Sequence, residues 1–81
     1  MGERAMKKQT NYLVYHGNSY DLQRLSCDSY ASKVTAKYFY ARACSAAKVC
    51  HLVKEVNYFD TTGKLVNRET SYLDSYFKGR K

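Results

Sequence analysis

The chain has 81 residues, of which 44% are hydrophobic, so we expect it to fold as one small domain and not to be disordered. Fourteen Lys and Arg residues against seven Asp and Glu give a formal charge of +7, which favours a polyanionic partner, although the same excess also fits plain solubility. No apolar run approaches the roughly 18 residues that span a bilayer, which argues against a membrane-spanning helix.

The ends of the chain and its cysteines suggest where it resides. The first eight residues, MGERAMKK, lack the apolar stretch of a secretory signal. Three cysteines without such a signal favour a reducing compartment, so we predict a cytoplasmic location. We expect residues 1–8 to be a disordered segment or a tag remnant, residues 9–78 to form the domain, and residues 79–81 to be a basic tail.

The first hairpin is predicted from residue types. Residues 9–15, QTNYLVY, are rich in β-branched and aromatic residues and are predicted to form a strand. The following HGNS at 16–19 is typical of a turn, because Gly and Asn tolerate positive φ. Residues 20–27 are then predicted to be the return strand, with a short helix over 19–27 as the alternative.

A long helix is predicted from Asp28 or Ser29 to about residue 49, because this stretch has no Gly or Pro and is rich in alanine. Its helical wheel has two apolar sides. The side that we expect to pack on the sheet consists of Ala36, Phe39, Ala43, Ala46, Ala47 and Cys50. The side roughly opposite, which is left for another layer or a partner, consists of Tyr30, Val34, Tyr38 and Ala41.

The second hairpin follows this helix. Residues 52–59 are predicted to form the third strand and residues 65–70 the fourth, joined by a loop over 60–63 in which Gly63 suits a left-handed conformation. Ser71 and Asp74 then resemble a capping box. The spacing of Tyr72, Leu73, Tyr76 and Phe77 predicts a short closing helix.

The predicted order is therefore β-β-α-β-β-α. Two hairpins that flank one long helix indicate a single small α+β domain with a mainly antiparallel sheet. We expect the long helix to cover one face of that sheet.

Residues that commonly carry catalysis or bind metal do not form a recognisable pattern. Cys44, Cys50 and His51 lack the close cysteine spacing of a zinc site, and only His16 and Cys27 remain as further ligands. The sequence has no phosphate-binding glycine loop and no nucleophile-elbow motif. We predict a non-enzymatic protein without a metal or cofactor, in which the cysteines are buried as small apolar residues.

A basic row is predicted on the long helix, since Lys33, Lys37 and Lys48 fall within about 60° of one another at 100° per residue. Lysines neutralise phosphates and tyrosines stack on bases, so this row beside phenols is a candidate binding surface. The second hairpin offers a further basic surface. The candidate partner-binding residues are Lys33, Lys37, Tyr40, Lys48, Tyr30, Tyr38, Lys54, Lys64 and Arg68. The alternative is that the lysines are simply solvated and the tyrosines border a small core.

Three segments carry a resemblance to known proteins: the YLVYHGNSY hairpin, the Ala-rich helix and the VNYFDTTGKLVNRE hairpin. Their layout resembles that of small proteins encoded by phages and mobile elements, including several anti-CRISPR proteins. That resemblance implies a helix across a short antiparallel sheet, no catalytic site, and action by occluding a larger nucleoprotein machine. The positive charge argues against mimicry of DNA.

Two functions follow as hypotheses. The first is a non-enzymatic protein that docks through its basic, Tyr-rich surface on nucleic acid or a nucleoprotein complex, such as a CRISPR effector, as an inhibitor of host defence. An acidic protein surface is a further candidate partner, since it would bind the same basic surface. The alternative is a homodimer that buries Tyr30, Val34, Tyr38 and Ala41 between two copies.

Overall fold

Four antiparallel strands and one helix make up the fold in the computed structural model, which describes residues 7–78. The strands form one sheet in the spatial order β2-β1-β3-β4. Their bounds are β1 Lys7–Gly17, β2 Ser26–Tyr30, β3 Val49–Phe59 and β4 Leu65–Phe77, and helix α1 spans Lys33–Ala46. The prediction of a small α+β domain with an antiparallel sheet is confirmed, in the order β-β-α-β-β.

The core lies between α1 and one face of the sheet, which we call the helix face. Side chains alternate along a strand, so Val14 of β1 and Leu52 of β3, which are register partners, point to the same face. The small residue Ala36 is fully buried and lets α1 approach the strands closely. The cluster is formed by Val14, Ala36, Tyr40, Ala47, Cys50 and Leu52.

Helix α1 packs mainly on β1, β3 and β2, so it covers part of the helix face and leaves β4 beside it. It begins later than predicted. Ser32 is its N-cap, and the Ser32 hydroxyl accepts a hydrogen bond from the Thr35 N–H at 3.4 Å. Asp28 and Ser29 belong instead to β2, where they pair with β1. Helix propensity was the wrong guide there because strand pairing, a long-range interaction, fixes the backbone.

The cap supplies a modest testable contribution to stability. We expect Ser32→Ala to lower the free energy of unfolding by about 1 kcal/mol, because one amide at the start of α1 loses its acceptor. Ser45→Ala is the control, since the Ser45 hydroxyl only donates to the Arg42 carbonyl within the same helix. Urea unfolding followed by circular dichroism measures both, and an equal loss in the two variants would contradict the cap.

Helix α1 ends where the backbone begins to form hydrogen bonds with the strands of the sheet. Ala47 is extended, with φ −99° and ψ 160°, and the next N–H, that of Lys48, donates to the Gly17 carbonyl at 3.1 Å. The predicted end near residue 49 therefore lies inside β3.

The predicted closing helix is wrong, because residues 71–77 form the second half of β4. Tyr72 pairs with Val53 and Phe77 pairs with Val49 in an antiparallel ladder. The register shifts by one residue at Leu73. Such a bulge breaks the two-residue alternation of a strand, which is why the apolar residues here resemble a helical pattern.

The connection between β1 and β2 also differs from the prediction. Strand β1 continues to Gly17, a short 3₁₀ helix, Leu22–Arg24, lies within the predicted return strand 20–27, and only residues 26 and 27 of that segment belong to β2. A Cβ at Gly17 would lie 2.8 Å from a methyl carbon of Leu25, so a larger residue there would require the Leu25 side chain to move. The left-handed conformation predicted for Gly63 is confirmed, with φ 88°.

The predicted domain limits change at the N-terminal end. Lys7 and Lys8, assigned above to a segment outside the fold, are the first residues of β1. Residues 1–6 and the predicted basic tail 79–81 lie outside the described residues.

Candidate functional site

A groove on the helix face, between α1 and β4, brings together part of the predicted basic surface. Its volume is about 410 Å³. We call it the basic groove, and its lining consists of Lys33, Lys37, Tyr40, Ala41, Leu52, Leu73 and Asp74. Two lysines therefore flank a floor of two leucines, an arrangement that can hold an anionic group at its rim and an apolar group at its base.

The helical repeat places the lysines of the groove. Lys33, Lys37 and Ala41 recur at intervals of four residues, so they lie along one side of α1. The floor comes from Leu52 in β3 and from Leu73 at the bulge of β4. The bulge was invisible in the sequence, so Leu73 and Asp74 were not expected at the site.

The lysines of the described chain keep their charges unpaired. Within residues 7–78, acidic and basic side chains meet in three pairs: His16 with Asp28, Arg24 with Asp21, and Arg68 with Glu55. No lysine of this part of the chain takes part in any of them. The side chains of Lys33 and Lys37 are therefore not held in any of these three ion pairs.

Two further predicted lysines lie near opposite ends of α1. Lys54 follows Leu52 by two residues in β3 and so points to the helix face, level with Tyr12 in the neighbouring strand. Lys48 lies beyond the other end of the helix. Its carbonyl accepts a hydrogen bond from the Lys78 N–H at 2.7 Å, which places these two lysines side by side.

The remaining basic candidates lie elsewhere. Arg68 is opposite Asn57, on the face away from α1, and its Nε donates to the Asn57 side-chain oxygen at 2.7 Å. Lys64 belongs to the loop of the second hairpin, where its N–H donates to the Asp60 carboxylate at 3.0 Å. The structure does not bring these two residues together with the basic groove.

The predicted tyrosines are not arranged as expected beside the lysines. Tyr40 is 9% exposed and belongs to the core, with only its edge on the groove. Tyr30 stacks on Phe39 with ring centres 5.1 Å apart, on the β2 side of the helix. Tyr38 is exposed, contacts Phe39 edge-on, and accepts a hydrogen bond from Arg42 at 3.3 Å. Helix α1 therefore has Lys33 and Lys37 on one side and the rings of Tyr38 and Phe39, together with Arg42, on the other.

A second cleft, of about 400 Å³, lies on that aromatic side and was missed by the sequence interpretation. His16 Nε2 and Asp28 Oδ2 lie 3.2 Å apart in it, and Tyr30, Phe39 and Arg42 also contribute to its lining. His16 was expected in a solvated turn. Only the pairing of β1 with β2 brings it to Asp28, twelve residues away.

The opposite face of the sheet carries His51 among aromatic rings. The His51 and Ser75 side chains are hydrogen-bonded at 2.8 Å, and the rings of Tyr72 and Phe77 contact the imidazole edge-on. Burial lowers the pKa of His51, which disfavours the charged form of its imidazole.

The three cysteines differ in environment. Cys50 is buried and Cys44 is half-buried, but Cys27 is exposed, which corrects the prediction that all three are buried. Within residues 7–78, no group of three or more His, Cys, Asp or Glu side chains is arranged to hold a metal ion.

Helix α1 has 14 residues, and none of the helices in the described part of the chain is long and apolar enough to cross a membrane. No protein-family model, curated protein or solved structure matches this chain.

Proposed function

We propose that the protein is a non-enzymatic binding protein whose basic groove holds single-stranded nucleic acid, either free or within a nucleoprotein complex. The observation that carries this proposal is the pair Lys33 and Lys37 over an apolar floor, without any internal ion pair among the lysines of residues 7–78. Such unpaired charges attract phosphates and release their counterions.

A single strand fits this groove better than a duplex. The floor of the groove is apolar: Leu73 is 41% exposed and can contact the flat face of a base or a sugar, whereas Leu52 is 3% exposed and belongs to the core. A base reaches that floor only when it is unpaired. Lys54 at one end of α1 and Lys48 with Lys78 at the other extend the positive charge along the 14-residue helix, a length of about 21 Å.

The exposed aromatic rings on the other side of α1 support the same assignment. Tyr38 is 57% exposed and Phe39 39% exposed, and the Arg42 guanidinium lies 5.7 Å from the centre of the Tyr38 ring. Exposed aromatic rings next to a cation are the surfaces on which nucleobases stack. A nucleic-acid strand that crosses α1 would contact both the lysines on one side of the helix and the exposed rings on the other.

The test is a salt titration of affinity for a labelled single-stranded oligonucleotide, followed by fluorescence anisotropy. In the double variant Lys33→Ala/Lys37→Ala, we expect the slope of log affinity against log salt to become shallower by about 1.4, because two phosphate contacts are lost. The matched control is Lys7→Ala/Lys64→Ala, which removes the same charge at the far end of the sheet and should leave the slope nearly unchanged.

Equal changes in the two double variants would show that net charge, and not the groove, drives binding. An affinity that does not respond to salt would overturn the proposal. Tighter binding of a duplex of the same length would overturn the assignment to single strands.

We extend the proposal to nucleoprotein complexes, with a CRISPR effector as the example that the resemblance implies. A bound guide or displaced strand presents the same phosphates as free nucleic acid. Capture of such a complex from a host lysate should be lost after nuclease treatment. Capture that survives nuclease would instead favour an acidic protein surface as the partner.

The alternative homodimer through the helix has weaker support. The four residues predicted for it do not form one continuous surface, because Ala41 lines the basic groove while Tyr30 lines the cleft on the other side of α1. Val34 is 78% exposed and remains a candidate contact.

A further inference from the structure

Strand β4 is a long edge strand. It has 13 residues, all of them exposed, and it lies at the end of the strand order. Within residues 7–78, no strand pairs with its outer side. Backbone amides and carbonyls on the outer side of residues 65–76 are therefore available for pairing with another strand, with irregularities at Val66 and Leu73, where the register to β3 shifts.

The exposed apolar side chains are concentrated on this strand. Eleven large hydrophobic residues in the described chain are exposed, and six of them belong to β4. These six are Leu65, Val66, Tyr72, Leu73, Tyr76 and Phe77. Strand β4 also contains no Lys or Pro, the residues with which proteins usually protect an edge.

The other edge of the sheet differs from β4 in its length and in its exposed apolar residues. Strand β2 has five residues, SCDSY, and none of the exposed large hydrophobic residues belongs to it. The contrast between the two edges points to a specific pairing surface on β4.

A second copy of this chain is the occupant that the charges and the geometry favour. The charged residues of β4 are one arginine and two acids, so the strand is close to neutral although the whole chain carries +7. Two copies can therefore approach along β4 without strong repulsion. Two copies of the same strand can also pair in antiparallel fashion about a two-fold axis. Such a contact uses the same surface on both copies and stops at a dimer.

Apolar side chains are present on both faces of the strand. Tyr72 lies on the face away from α1, opposite Val53, and Tyr76 lies on the helix face, opposite Cys50. A neighbouring strand would therefore be contacted by side chains above and below the sheet, in addition to the backbone hydrogen bonds.

We propose that the β4 strands of two copies pair in antiparallel fashion about a two-fold axis perpendicular to the sheet, forming one continuous eight-stranded sheet. The axis places both α1 helices on the same face. Each basic groove then lies next to the shared β4 pair, and the two grooves join into one trough between the helices.

The width of that trough follows from strand spacing. Because α1 lies over β1 and β3, and strands are about 4.8 Å apart, the two helix axes would be about 20 Å apart. The space between the helices is then about 10 Å wide once the helix diameter is subtracted. That width admits one extended chain. The use of the trough for nucleic acid rests on the proposed function, whereas the dimer itself does not.

The test measures oligomeric state in the absence of nucleic acid. Sedimentation velocity across the micromolar range should give the mass of a dimer for the unaltered chain. The variant Val66→Lys/Thr70→Lys places two charges on β4 and should be a monomer. The matched control, Ser26→Lys/Ser29→Lys, adds the same charge to the β2 edge and should remain a dimer.

A third variant separates this dimer from the helix-mediated one. Val34→Lys/Tyr38→Lys changes the exposed side of α1 and should leave the dimer intact. A monomer for the unaltered chain, or a dimer that is lost in the α1 variant and kept in the β4 variant, would overturn the proposal.

Hydrogen exchange of the unaltered chain gives a readout that does not depend on how the variants fold. The β4 amides that do not face β3 should become protected as concentration rises. Fast exchange of these amides at all concentrations would contradict the pairing.

Affinity for the oligonucleotide then tests the trough. A monomeric β4 variant should bind at least about tenfold more weakly, because two linked grooves bind one strand with avidity. If the dimer forms without binding oligonucleotide, the proposed function fails and the dimer stands. If a strict monomer binds with the expected salt dependence, the dimer fails and the proposed function stands.

Discussion

Leu52→Ala should lower the free energy of unfolding by about 3 kcal/mol, a large part of the total stability of a domain this small. Leu52 is 3% exposed and lies between α1 and the sheet, in the cluster that contains Val14, Tyr40 and Cys50. The chain has no isoleucine, and Leu13 and Leu52 are the leucines among its buried core residues. With so few large aliphatic side chains, the structure has little means to fill the resulting cavity.

Leu65→Ala is the matched control for this prediction. The substitution is the same, but Leu65 lies in β4 and is 41% exposed, so we expect a loss below about 1 kcal/mol. Urea unfolding followed by far-ultraviolet circular dichroism gives both values. Similar losses at the two positions would mean that the core is not centred between α1 and the strands.

Part of the fold could be predicted because local patterns agreed with long-range pairing. The strands near residues 9–15 and 52–59 have β-branched and aromatic residues in runs, and Gly63 fits its loop. Asp28 and Ser29 were assigned to the helix because capping preference is local. Their strand conformation depends on pairing with β1, which the sequence of the segment does not encode by itself.

In the candidate site, too, the local spacing of residues could be predicted and the features set by long-range packing could not. The four-residue spacing of Lys33 and Lys37 places them together whatever the sheet does. The helical spacing does not decide which of the adjacent aromatic residues Phe39 and Tyr40 points into the core. Polarity favours burying Phe39, yet Tyr40 is buried, since the helix is rotated to bring its small residues onto the strands. Leu73 and Asp74 were missed because their strand contains a bulge.

Raising the pH should destabilise the fold between about pH 9 and 12, and the buried Cys50 thiol should account for much of the loss. Burial, and then the neighbouring Cys44 thiol, raise the pKa of Cys50 from 9.0 to about 12. The unfolded chain ionises this thiol near its ordinary pKa, whereas the folded chain keeps it protonated. The stability is therefore complete below about pH 9 and is lost as the pH rises through the pKa of the folded state.

Tyr40 should act in the same direction. Burial, followed by a hydrogen bond with the Cys44 side chain, raises the pKa of the Tyr40 hydroxyl well above its ordinary value of 10.0. The variant Tyr40→Phe should therefore lose less stability than the unaltered chain as the pH rises above about 10.

Cys50→Ala isolates the contribution of the thiol. We expect urea midpoints measured from pH 7 to 12 to fall less steeply in this variant, because the ionisable group is gone. Val49→Ala is the matched control: Val49 is also fully buried and adjacent in β3, but it does not titrate. It should lower stability at neutral pH and leave the alkaline slope unchanged. If Cys50→Ala and the unaltered chain lose stability in parallel above pH 9, other groups cause the alkaline transition and the Cys50 thiol does not.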